Sequence, residues 1–163
     1  MNKIFGFITI LAFSITMTGC DLTNDPKIGG TQVQAMAGEW WIKVLDASGA
    51  DAAGGYHLIR TANTAANTDT DLQFDDIGLW PAKIVAKVDI GALTFTPATK
   101  LNNMLSPTIK VSIIEGKIVK DGATTPGKNT TDLISVKFEF SDDPGVVYEY
   151  TGYRRTGFQE DEH

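Results

Sequence analysis

Cysteine is almost absent from this chain. Cys20 is the only one, so no disulfide can form within it. Histidine is nearly as scarce, with His57 and the terminal His163 alone. Positive charge is in the minority: 14 Lys and Arg face 20 Asp and Glu, a formal net charge of −6. Nucleic-acid backbones and anionic membrane surfaces are bound through clustered Lys and Arg, so neither is expected as an electrostatic partner, and no nucleic acid is expected at all. Acidity of this size serves mainly to keep a protein soluble. No Gly-x-Ser-x-Gly nucleophile elbow occurs. The cluster Asp69, Asp71, Asp75 and Asp76 lacks the glycine and terminal glutamate of a calcium loop and reads as solvated loop carboxylates. Neither a metal nor a cofactor is expected. At 42% hydrophobic and 21% charged, the composition is that of a globular domain, not a disordered one.

Long apolar runs are also missing, with one exception at the start. Met1-Asn2-Lys3 is followed by the uncharged stretch Ile4 to Thr18. It is too short for a spanning helix, which needs about 20 residues, and suits the apolar region of a signal peptide. The run ends in Met17-Thr18-Gly19-Cys20, which resembles a lipobox, although Met17 stands where Leu is usual. The expectation is a lipoprotein signal peptide over 1–19, with Cys20 becoming the lipidated first residue of the mature chain. Lys3 is the only charge in that leader, so processing makes the protein one unit more acidic. Several acyl chains, at about 0.8 kcal/mol per buried methylene, anchor stably where one alone is marginal. The membrane is thus an expected partner through the N-terminal lipid anchor. The cell envelope is the expected location, the outer membrane or cell surface being favoured over the inner membrane. Residues 20–36 hold Asp-Pro and Gly-Gly and no periodicity, and read as the lipidated N-terminus and a flexible tether.

From Gly38 onward period-two alternation dominates. In Ile134 to Ser141, Ile134, Val136, Phe138 and Phe140 alternate with Ser135, Lys137, Glu139 and Ser141. Lys83 to Ile90 alternates equally well, and further strands are expected at Trp40–Asp46, Tyr56–Thr61, Leu72–Ile77, Ala92–Thr96, Ile109–Lys120 and Val146–Arg155. Asp142-Asp143-Pro144-Gly145 reads as a hairpin turn, 120–132 as a longer loop, and Glu115-Gly116 as a bulge or bend. About eight short antiparallel strands define an all-β, up-and-down barrel or a sandwich. The domain is placed at 37–158, followed by a solvated acidic tail at 159–163.

Gly38-Glu39-Trp40 opens the first strand and resembles the Gly-x-Trp motif of lipocalins and other calycins. The resemblance implies that Arg154, near the end of the last strand, packs on Trp40 as a barrel-closing pair. A wider stretch, from Gly38-Glu39-Trp40-Trp41 through Phe138 to Gly145 and on to Gly152-Tyr153-Arg154-Arg155-Thr156-Gly157-Phe158, is similar to a bacterial lipoprotein family with a lipocalin-like fold. That family is labelled lipid-binding putative hydrolase, and the resemblance implies a calycin barrel. Trp40, Ile42, Phe95, Phe138, Phe140 and Tyr148 are then candidate ligand-binding residues. An eight-stranded barrel either is filled by side chains or holds one small ligand, so these residues fit a packed core and a cavity alike.

Three functions follow. The first is a membrane-tethered barrel holding a small apolar or lipid-like molecule. The second is an envelope lipid or ester hydrolase, for which His57 is the only candidate residue inside the domain; a lone strand histidine is more often structural, and the balance is against an enzyme. The third is an accessory subunit without a small ligand, which exposure of Trp41 and Trp80 would favour.

Overall fold

The computed structural model describes residues 29–163. The expected signal peptide, Cys20 and the first part of the tether lie outside the described residues. Nine strands follow in order: β1 Gly38–Leu45, β2 His57–Asn63, β3 Asp71–Asp75, β4 Lys83–Asp89, β5 Thr94–Phe95, β6 Ala98–Leu101, β7 Val111–Thr124, β8 Thr130–Phe140 and β9 Val147–Arg154. Every neighbouring pair is antiparallel. The sheet runs β5-β4-β3-β2-β1-β9-β8-β7-β6, and β5 also pairs with β7. That last pairing, Thr94 with Lys117 and Phe95 with Gly116, closes eight strands into a barrel and leaves no open edge within that ring, while β6 outside it pairs only with β7 among the described residues. The protein is an all-β closed antiparallel barrel.

Alternation is what fixes the inside. Along β8, Asp132, Ile134, Val136, Phe138 and Phe140 are buried while the residues between them are half-exposed. The same parity carries Trp40, Ile42 and Val44 of β1 and Ile84, Ala86 and Val88 of β4 into the core. β7 slips register between Ile113 and Glu115, and Ile114 there is 43% exposed. This is the bulge that Glu115-Gly116 foreshadowed. Gly116 is needed at the seam, since a Cβ on it would lie 2.9 Å from the Phe95 ring and 3.0 Å from Val136.

Four details differ from the sequence reading. β6 carries no alternation, its residues being only partly buried or exposed, and Lys100 has a φ of 56°; periodicity therefore could not reveal it. The long loop expected at 120–132 is mostly strand, because β7 and β8 extend across it and leave only 125–129 as the turn.

The tether, placed at 20–36, ends earlier. Val33 and Met36 are fully buried in the core. Met36 N–H and Ala37 N–H both donate to the Val33 carbonyl, at 2.9 and 3.0 Å, forming a turn that points both side chains inward. Burying two such side chains is worth about 1.5–3 kcal/mol each, so these residues belong to the barrel. A single turn has no periodicity to read.

The tail, expected to be solvated, is docked. Gln159–Asp161 is a short 3₁₀ turn, and the buried Asp161 carboxylate accepts from Gly127 N–H at 2.8 Å, Asn129 Nδ2 at 3.0 Å and Thr156 Oγ1 at 2.7 Å. Burial pushes its pKa up, but hydrogen bonds led by those of Thr125 and Thr156 outweigh it and hold the carboxyl at about 2. Arg155 adds an ion pair to Glu162 at 2.7 Å. Acidic composition suggested solvent; specific donors on the 125–129 turn override it.

Candidate functional site: the barrel mouth

Because β1 runs from Gly38 to Leu45, the barrel has two chemically different ends. The base gathers the turn at residues 31–37, the start of β1 and the end of β9. Here the Arg154 guanidinium carbon lies 4.4 Å from the Trp40 ring centroid, with Trp40 and Arg154 in direct cross-strand register. Trp40 Nε1 donates to Thr61 Oγ1 at 2.8 Å, and that hydroxyl donates to the Met36 carbonyl at 2.6 Å. Arg154 Nε donates to Asp132 Oδ2 at 3.0 Å, and its Nη1 donates to the Ala37 carbonyl. Burial raises the Asp132 pKa, but Lys120 at 2.8 Å, the Asp121 N–H and Arg154 more than offset it and hold the carboxyl below its usual range. A Cβ on Gly38 would come 2.5 Å from Arg154 Nη1, so glycine two residues before Trp40 makes the room that the guanidinium occupies. The base is shut.

Above it the axis is packed. Phe138 meets Phe74 at 4.9 Å and Tyr150 at 5.1 Å between ring centroids, each nearly edge-on. Trp40, Phe74, Tyr150 and Ile42 are fully buried, and Phe138 is 1% exposed.

The other end is open. A pocket of about 110 Å³ is lined by Trp80, Pro81, Ile109, Phe140, Asp142, Asp143 and Tyr148. The turn after β8 supplies the aspartates, and β8 and β9 supply Phe140 and Tyr148. Trp80 comes from the β3–β4 loop, which folds over the mouth. Its ring lies 4.7 Å from that of Tyr148 and 6.1 Å from that of Phe140.

Asp76 holds that loop. Its carboxylate accepts three backbone N–H groups, from Gly78, Trp80 and Ala82, each at 3.1 Å. Burial pushes its pKa up to about 6 despite those bonds. Ile77 and Gly78 both take positive φ, 56° and 89°, and Leu79 N–H closes the turn on the Asp76 carbonyl. Glycine accepts that conformation; isoleucine is strained in it by about 1–3 kcal/mol. The strain is tolerated where Asp76 and Trp80 fix the loop on both sides.

The six candidate ligand-binding residues therefore separate. Phe140 and Tyr148 line the mouth pocket, and Phe138 lies beneath them, 6.2 Å from Phe140. Trp40 and Ile42 are in the packed wall and base, and Phe95 sits at the β5–β7 seam against Gly116. Pro81, Ile109, Asp142 and Asp143 of this lining were not among the six candidates, and Trp80 was named only as an aromatic that would favour docking if exposed. The available signal was Trp80-Pro81 itself, an aromatic in a loop between two alternating strands. Trp41 does point outward, but the docked tail covers it: His163 lies 5.4 Å from it edge-on and stacks on Tyr56 at 4.0 Å. At 9% exposure Trp41 offers no docking surface.

Around His57, the ring Nε2 is 3.0 Å from the Ala53 carbonyl, a contact that ties β2 to the β1–β2 loop. Asp71 and Asp75 pair with Lys87 and Lys83 across the β3–β4 ladder. Among the described residues no three His, Cys, Asp or Glu side chains converge as metal ligands do.

A closed antiparallel barrel of eight strands is the architecture of a lipocalin-like fold. The chain belongs to the family described as lipid-binding putative hydrolase, whose family model matches residues 25–159. No curated protein matches it. The match begins ahead of Val33 and Met36 and so takes in the turn that plugs the base.

Proposed function

We propose that this protein is a cell-envelope lipoprotein, anchored through Cys20, whose barrel mouth binds a small apolar or lipid-like ligand. The carrying observation is the pocket between Trp80, Phe140 and Tyr148 on a barrel closed at its other end. Membership in a lipid-binding family supports the ligand class. The order of charged start, apolar run and Met17-Thr18-Gly19-Cys20 supports the anchor. The turn at 31–37 packs at the base, so the described chain enters the barrel at that end. The outer membrane or the cell surface is the proposed location.

Two experiments test the reading. Titration of the protein with a neutral single-chain amphiphile, followed by calorimetry, is expected to show saturable binding. Trp80→Ala is expected to weaken it by about tenfold or more, since loss of a ring contact of this size is worth at least about 1.4 kcal/mol. Equal binding by the variant would move the site away from the mouth. For the anchor, Cys20→Ala expressed in a cell that processes lipoproteins is expected to carry no acyl label and to be either unanchored or left as the unprocessed precursor, while its barrel still folds. A Cys20→Ala protein that stayed membrane-bound after signal cleavage would overturn the anchor.

A further inference from the structure

The mouth pocket is not purely apolar, and its polar part carries one sign. Beside the three rings it is lined by Asp142 and Asp143. Tyr148 Oη donates to Asp143 Oδ2 at 2.7 Å, which with burial raises the phenol's pKa and keeps it a neutral donor. Asp46, at the end of β1, adds its negative field at Tyr148. Neither Asp142 nor Asp143 forms an ion pair among the described residues. The neighbouring cation, Lys110, turns its ammonium to Asn102 Oδ1 at 2.9 Å.

A pocket meant for a hydrocarbon end gains nothing from two uncompensated carboxylates, and an anionic head group would be repelled by them. Rings tilted toward one another with carboxylates at the rim have the opposite preference. An organic cation over the face of Trp or Tyr, within about 6 Å of the centroid, is held by the ring quadrupole. The carboxylates strengthen this without demanding the hydrogen bonds that a quaternary ammonium cannot donate. Size agrees: about 110 Å³ has room for an alkylated ammonium group and is well below the roughly 300–1,000 Å³ of pockets that enclose a whole drug-sized ligand.

We infer that the mouth takes the cationic head of an amphiphile, an alkylated or quaternary ammonium, seated among Trp80, Tyr148 and Phe140 with Asp142 and Asp143 beside it. This rests on the reading of the mouth as the ligand site. The ligand's chain lies outside the pocket, along Met104 and Leu105, which are 54% and 50% exposed. Asn103 fixes that segment beside the pocket wall by donating to the Pro81 carbonyl at 2.6 Å.

The test compares choline with its neutral isostere, in which a tert-butyl group replaces trimethylammonium, by NMR titration of the full protein. Choline is expected to shift the Trp80 indole signal and to bind about tenfold or more tightly than the isostere. Asp142→Asn with Asp143→Asn, both exposed, is expected to remove most of that preference for choline over the isostere. Equal affinity for the two probes, or a preference untouched by the double substitution, would overturn the cation reading while leaving the mouth as an apolar site. If neither probe nor a neutral single-chain amphiphile moves the Trp80 signal, the ligand site itself is misplaced.

Discussion

Trp40→Ala is expected to lower the unfolding free energy by about 3–5 kcal/mol, the range for removing a fully buried large aromatic. Three separate losses add up here. The indole fills the base of the core at zero exposure. Its face carries the Arg154 guanidinium, a contact worth about 2 kcal/mol when desolvated. Its Nε1–H satisfies Thr61 Oγ1. Denaturant titration reads the effect as a lower midpoint with an unchanged slope. Trp40→Phe separates the terms, keeping a ring while deleting the indole donor, and is expected to recover more than half of the lost stability. A double-mutant cycle with Arg154→Ala should give a coupling of about 1–2 kcal/mol. A coupling near zero would mean that Arg154 is held by Asp132 and the Ala35 and Ala37 carbonyls alone.

Gly152→Ala is expected to be at least as damaging, for a different reason. Gly152 pairs with Ile42 on one side and Ile134 on the other. A Cβ there would collide with the Trp41 carbonyl oxygen and lie 2.7 Å from Ile42 Cα and 2.9 Å from the Trp41 carbonyl carbon. All three are backbone atoms of β1, so no side chain can swing aside; the β1–β9 ladder must part. Overpacking costs of about 3 kcal/mol or more follow, and the variant is expected to accumulate as unfolded or aggregated protein. Gly145→Ala is the control. It stands in open space with a φ of 84°, and its cost is only the left-handed backbone penalty of about 1–2 kcal/mol. A Gly152→Ala protein no less stable than Gly145→Ala would show that β9 does not lie this close to β1.

How much of this was legible beforehand depended on whether a residue's role was periodic. The barrel was readable because Ile134, Val136, Phe138 and Phe140 declare a face by alternation, as do Ile84, Ala86 and Val88. Gly38 and Trp40 drew attention to Arg154 through resemblance to a known family, and the reason glycine stands there became visible only with the guanidinium in place. Parity sorted inside from outside but said nothing of height along the barrel axis, so Trp40, Phe95 and Phe140 looked equivalent while lying at the base, the seam and the mouth. Val33, Met36 and Asp161 were missed because their burial is decided by contacts with distant segments. Trp80 was noticed, but its place over the mouth was not legible, since nothing local says that a loop folds inward across an opening.

The pairing of β1 with β9 has a consequence for how the chain comes to its native state. Arg154 reaches the Ala37 carbonyl from 117 residues away, and β9 also completes the ladder to β8. No earlier fragment can complete the ring, and the loop-closure entropy of joining the first strand to the last is incurred before its contacts reward it. Folding is therefore expected to be slow and all-or-none, on a timescale of about milliseconds to seconds, with the chain remaining unfolded until its final strand is available.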